Sequence, residues 1–141
     1  MLQCFRCMLA FVVCVGVLGC GQGGFRIHGK ITVDGVPLEQ GELKFVPVDS
    51  SGGDHVGTVV QKGEFSVDDV ERLKEGEYQV QIRSFRSTGK KIWDGMGDGT
   101  KKNMVDDMKQ FIPIKYNDAS ELKVALKSGD NQYSTDLKIA K

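Results

Sequence analysis

Few residues in this chain have types and spacings that could do chemistry. The pair Cys4 and Cys7 in "CFRC" has metal or redox spacing. His28 and His55 are the two histidines. In "WDGMGDGTKKNMVDD", Asp94, Asp98 and Gly99 stand at the first, fifth and sixth places of an EF-hand-like calcium loop. "STGKK" imitates the end of a phosphate-binding loop. Each falls short of its chemistry. Met96 and Val105 occupy the third and twelfth places of the calcium loop, where oxygen ligands are needed, and nearby lysines oppose a cation. The phosphate loop lacks its first glycine, because Ser84 stands there, and Lys91 replaces the required Ser or Thr. Zinc wants three or four spaced ligands, and two solvent-facing histidines do not supply them. No Gly-x-Ser-x-Gly elbow occurs either. The expectation is a protein with no catalytic residue, no metal and no cofactor.

Those cysteines belong to the segment that must be placed first. Arg6 is the only charge in the first 25 residues, and "CMLAFVVCVGVL" follows it. An apolar core of about a dozen residues after a positive start, ending on small residues, fits a secretory signal better than a membrane span of roughly 20. The ending Val17-Leu18-Gly19-Cys20 resembles the bacterial lipobox. That resemblance implies a signal peptide over 1–19, a diacylglycerol on Cys20 and cleavage just before it. The partner implied is then the membrane, reached through the lipid anchor. Gly21 and Gln22 put no acidic residue after Cys20, which favours the outer membrane. The exported domain would face the periplasm or the surface. Cys4, Cys7 and Cys14 would leave with the signal, so no disulfide is expected.

Removing the leader leaves one domain's length, with a Gly-rich tether over 20–25 and a folded unit over 26–141. Formal net charge is +0, with 19 basic and 19 acidic side chains. Nucleic acid is therefore not an expected partner, since binding it calls for a basic patch or stripe.

The folded unit alternates with a period of two. Phe25, Ile27, Ile31 and Val33 share one face of "FRIHGKITV". Leu43 and Phe45 do so in "ELKFV", as do Tyr78, Val80 and Ile82 in "EYQVQIR". Leu122, Val124 and Leu126, then Tyr133, Thr135, Leu137 and Ile139, complete the set. Such alternation marks strands with one face in a core and one in water. Asp34-Gly35, Lys62-Gly63, Glu75-Gly76 and Gly129-Asp130-Asn131 supply turns. The fold class expected is all-β, an antiparallel Greek-key sandwich of about seven strands. Gly35 and Gly76 fall where turns call for positive φ. Tyr78 after "EGE" suits a tyrosine corner, a structural role.

One stretch, Ser84 to Gln110, is too long for a hairpin loop. Met104, Val105 and Met108 sit there at helical offsets, with Thr100 available as an N-cap, which predicts one short helix. Trp93, Met96, Met104 and Met108 gather in the same stretch. They either form a partner-binding patch, as aromatic residues and methionine do at interfaces, or cap an open end of the sandwich.

"HGKITVDGVPLEQGELKFVP", "KGEFSV" and "EGEYQVQI" are similar to successive strands of the carboxypeptidase regulatory-like (transthyretin-like) domain. "FIPIKYNDASELKVALKSGDNQYSTDL" resembles the C-terminal part of small bacterial lipoproteins carrying it. The resemblance covers most of 27–139 and implies a transthyretin-like sandwich that serves as a folding or interaction module. An enzyme of this fold, the hydrolase of 5-hydroxyisourate, needs a His and Arg cluster and a Tyr-Arg-Gly-Ser-like tail, whereas this chain ends "DLKIAK". Two functions remain. The first is a non-catalytic envelope lipoprotein whose sandwich binds or supports an envelope protein or glycan. The alternative is a transthyretin-like small-molecule binder or hydrolase.

Overall fold

In a computed structural model, residues 24–49, 54–96 and 103–139 are described. The leader, Cys20 and most of the tether lie outside them, as do Asp98, Gly99 and Thr100. Ten strands are present among the described residues: β1 Phe25–Val33, β2 Val36–Pro37, β3 Gln40–Pro47, β4 Val56–Gln61, β5 Glu64–Val70, β6 Gly76–Arg83, β7 Phe85–Trp93, β8 Met104–Gln110, β9 Lys123–Leu126 and β10 Asp130–Leu137. Eight of them form one sheet in the order β10-β1-β5-β4-β3-β6-β9, with β2 beside β1. Among the described residues, β7 and β8 pair only with each other.

The large sheet curls on itself at one joint. β4 and β5 share the single pair Gln61↔Glu64, next to the turn at Lys62-Gly63. A three-stranded half, β10-β1-β5, can therefore fold over a four-stranded half, β4-β3-β6-β9. Phe45 of β3 meets Phe65 of β5 at 6.1 Å and Tyr133 of β10 at 6.2 Å, the second edge-on. The alternating side chains meet in this space: Ile27, Ile31, Leu43, Phe45, Val60, Tyr78, Val80, Ile82, Leu126 and Leu137 are all but fully buried. Burying one such side chain stabilises by about 1.5–3 kcal/mol, which is why the inward set dictates the register.

The turns follow from their residues. Asp34 (φ 50°) and Gly35 (φ 81°) are consecutive left-handed positions, as are Lys62 (φ 50°) and Gly63 (φ 80°). Two such residues in succession make the hairpin turn whose twist matches the flanking strands. Gly29 answers a different need. A Cβ there would lie 1.6 Å from the backbone oxygen of Tyr133, so only glycine lets β1 and β10 approach.

Two expectations need correcting. The sheet is not wholly antiparallel, because β1 and β10 run parallel, Ile31 opposite Thr135 and Val33 opposite Leu137. β9 ends one edge of the sheet, and a short turn at residues 127–129 carries the chain across the seam to the other edge. After that reversal β10 has the direction of β1. The second correction concerns the short helix expected around Met104, Val105 and Met108, which is instead strand β8. As a helix the segment would have had no apolar surface to cover, and Lys101 and Lys102 would stand at the positive end of its dipole. As a strand it satisfies its backbone against "FRSTGKKIW". The one helical turn among the described residues is the 3-10 turn Ile114–Tyr116. It helps cover the seam: the Tyr116 hydroxyl donates to the Lys138 carbonyl and accepts its N–H, both at 3.1 Å.

Candidate functional site

Ser84 marks where the body ends and the β7–β8 ribbon begins. Its buried hydroxyl donates to the Gln40 carbonyl, fixing the root of the ribbon to β3. Beyond it, every residue of β7 is exposed. Pairing runs from Phe85↔Gln110 through Ser87↔Met108 to Lys91↔Asp106, Ile92↔Val105 and Trp93↔Met104. The register slips between Ser87 and Lys91, where Thr88, Gly89 and Lys90 oppose Asp107 alone. Gly89, at φ 78°, lets this bulge form, and the Thr88 hydroxyl pins it by donating to Asp107 at 2.8 Å.

Opposed residues share a face and successive residues alternate. One face therefore carries Phe85, Trp93, Met104 and Met108, with Lys91 and Asp106 joined by a 2.9 Å ion pair between the apolar groups. The other carries Ile92, Val105, Arg86 and Lys109, the last two directly opposed. Arg86 also lies 3.7 Å over the Phe111 ring at the root. Two grooves flank that root. One, of about 350 Å³, is bounded by Gly41, Glu42, Val59, Phe85 and Met108. The other, of about 270 Å³, lies against Val33, Leu38 and Phe111.

The four residues singled out in the sequence all lie on this ribbon or just beyond β7. Trp93 is 52% exposed, Met96 74%, Met104 49% and Met108 51%, and none joins the core. A cap would bury these side chains against the core, and here they stand about half exposed or more. Sequence reading missed Phe85, Ile92 and Val105, which are also exposed here. The sequence offers little signal for them, because Ile92 adjoins Trp93, Val105 adjoins Met104, and six residues without an apolar side chain separate Phe85 from Ile92. Of eleven large apolar side chains exposed among the described residues, seven belong to this hairpin. They are divided between its faces, with Phe85, Trp93, Met104 and Met108 on one and Ile92 and Val105 on the other.

The remaining candidates lie elsewhere and apart. His28 on β1 stands 3.3 Å from Asp130, and His55 precedes β4 in the other half. Asp94 uses its carboxylate within the chain, accepting from the Met96 N–H at 2.8 Å and from the Asn103 amide. Among the described residues no group of three or more His, Cys, Asp or Glu converges as a metal site would, and no helix is long and apolar enough to cross a membrane. Tyr78 is fully buried, and its hydroxyl donates to the Lys74 carbonyl at 2.8 Å and accepts the Lys74 N–H at 3.2 Å. Gly35 (φ 81°) and Gly76 (φ 156°) both have positive φ. No family model, curated protein or solved structure matches the chain.

Proposed function

We propose that this protein is a non-catalytic lipoprotein of the bacterial cell envelope, whose body displays the β7–β8 ribbon to a binding partner. One observation carries the binding role: among the described residues, the exposed apolar side chains are concentrated on a hairpin that pairs with no other strand. An isolated two-stranded ribbon is at best marginally stable in water, so an apolar one held clear of its own core is built to be covered by something else. Trp93, Met96, Met104 and Met108 are the contacts, and tryptophan is among the residues most enriched at binding hot spots.

The anchor rests on Val17-Leu18-Gly19-Cys20 and the apolar run before it. Cleavage would leave Cys20 acylated on sulfur and nitrogen, and more than one chain is what stable attachment takes. The lack of an acidic residue after Cys20 favours the outer membrane. A curled all-β body with the Tyr78–Lys74 bonds supports reading it as a transthyretin-like sandwich of Greek-key type.

Metabolic labelling with a fatty-acid analogue tests the anchor. Wild type takes up label, and Cys20→Ser takes up none and accumulates as unprocessed precursor. Equal label on both would sink the lipoprotein reading.

A further inference from the structure

The ribbon has two faces, and they differ in how they would meet a second copy of themselves. On the face bearing Trp93, each cross-strand pair joins unlike residues: Trp93 with Met104, Lys91 with Asp106, Ser87 with Met108 and Phe85 with Gln110. A two-fold axis along the ribbon, lying between two such faces, exchanges β7 and β8. Trp93 of each copy then packs on Met104 of the other. Lys91 of each copy meets Asp106 of the other, so two ion pairs become an alternating quartet. The opposite face behaves otherwise. There Arg86 pairs with Lys109, and the same operation sets like charges against each other.

Location restricts the arrangement further. β1 begins at Phe25, where the Arg26 N–H donates to the Gly129 carbonyl, and ends at Val33 beside Leu137. The ribbon root shares a groove with Val33, at the far pole from Phe25. The nine extended residues of β1 put those poles about 26 Å apart. The chain from Cys20 to Phe25 reaches at most about 18 Å, so the anchored pole stays near the membrane and the ribbon root lies away from it. Parallel ribbons keep both anchored poles on one side, as two copies in one membrane require. An antiparallel pairing would send them to opposite ends and stack β7 on β7 in place of β8.

We infer that the occupant of the Trp93 face is a second copy of this chain, anchored in the same membrane and pairing ribbon to ribbon in parallel. This rests on the lipoprotein reading for the placement of the poles. The contact is small, and co-anchoring supplies the high local concentration that lets a small contact hold.

The test uses full-length chains carrying two different tags, co-expressed and extracted in mild detergent, with recovery of one tag through the other as readout. Wild-type copies recover each other. Lys91→Asp paired with itself, or Asp106→Lys paired with itself, lowers recovery about tenfold or more, because like charges now face each other. Lys91→Asp mixed with Asp106→Lys restores it, although the pair within each ribbon stays repulsive in both chains. Only an intermolecular contact gives that pattern. Trp93→Ala, which leaves all charges in place, also lowers recovery, and Lys109→Asp on the other face does not. Wild-type copies that never recover each other, single variants without effect, a mixture that stays unpaired, or a loss with Lys109→Asp would each overturn the proposal. If labelled, membrane-bound chains fail to pair, the second-copy inference falls and the anchor stands. Chains that pair yet carry no lipid would sink the anchor alone.

Discussion

The body and the ribbon are built from the same kind of strand and put it to opposite uses. In β6, Tyr78, Val80 and Ile82 alternate with Gln79, Gln81 and Arg83, and the apolar set is fully buried. In β8, Met104 and Met108 flank Asp106 on one face with a similar period, and all three are exposed. The face differs locally at its centre, where Asp106 stands in the place that Val80 has in β6, and its surroundings differ as well. β6 lies between β3 and β9 and faces another half-sheet; β8 has only β7 beside it. A strand's apolar face becomes core only when the topology brings it a second layer.

That contrast can be broken most severely in the body. Val80→Asp buries a charge with no partner, which costs several kcal/mol, comparable to the whole stability of a domain of this size. Gln79→Asp, one residue away on the outer face, costs less, about 1 kcal/mol, because its amide donates to the Ser120 carbonyl at 2.6 Å. Thermal melts of the two variants should differ widely. Near-equal melts would mean that the β6 faces are assigned the wrong way round.

A smaller effect is expected at the pole that carries the ribbon, and it depends on pH. The Asp136 carboxyl is lowered to about 2, first by its bond to the Lys138 ammonium, then by the Gly35 N–H and the Thr32 hydroxyl. Its ordinary value is 3.8, so the folded state binds that proton less readily than the unfolded chain. The contribution is therefore complete above about pH 4 to 5 and fades as pH falls towards 2. Asp136→Asn should melt below wild type at pH 6, with the gap closing by pH 2. A gap constant over that range would show that the Asp136 charge contributes nothing.

The smallest effect on stability belongs to the ribbon. Trp93→Ala with Met96→Ala removes two exposed apolar side chains and should shift stability by about 0.5 kcal/mol or less. The same double variant should lose the partner. A melt lowered by several degrees with partner recovery intact would return these residues to the role of a cap.

Much of the body was legible because period-two alternation and turn residues are local signals. The inward residues of β1, β3 and β6 were identifiable from spacing alone, and so were the turns at Asp34-Gly35 and Lys62-Gly63. The ribbon was legible only as an interruption containing Trp93 and methionines. The four-residue spacing of Met104 and Met108 suits one face of a helix or of a strand, and on the partner strand Phe85, Ile92 and Trp93 do not alternate with polar residues.

The sequence by itself determined that the domain would be made of strands and which faces of β1, β3 and β6 would turn inward. Those follow from side-chain size, polarity and backbone freedom, each read within a few residues. Tertiary structure alone decided that β10 would lie parallel to β1, that Met104–Gln110 would be a strand, and that Trp93 would face outward. Each of those depends on a partner far away in the chain. Tyr133 must reach Gly29, β8 must find β7, and the half-sheets must close on one another without covering the ribbon.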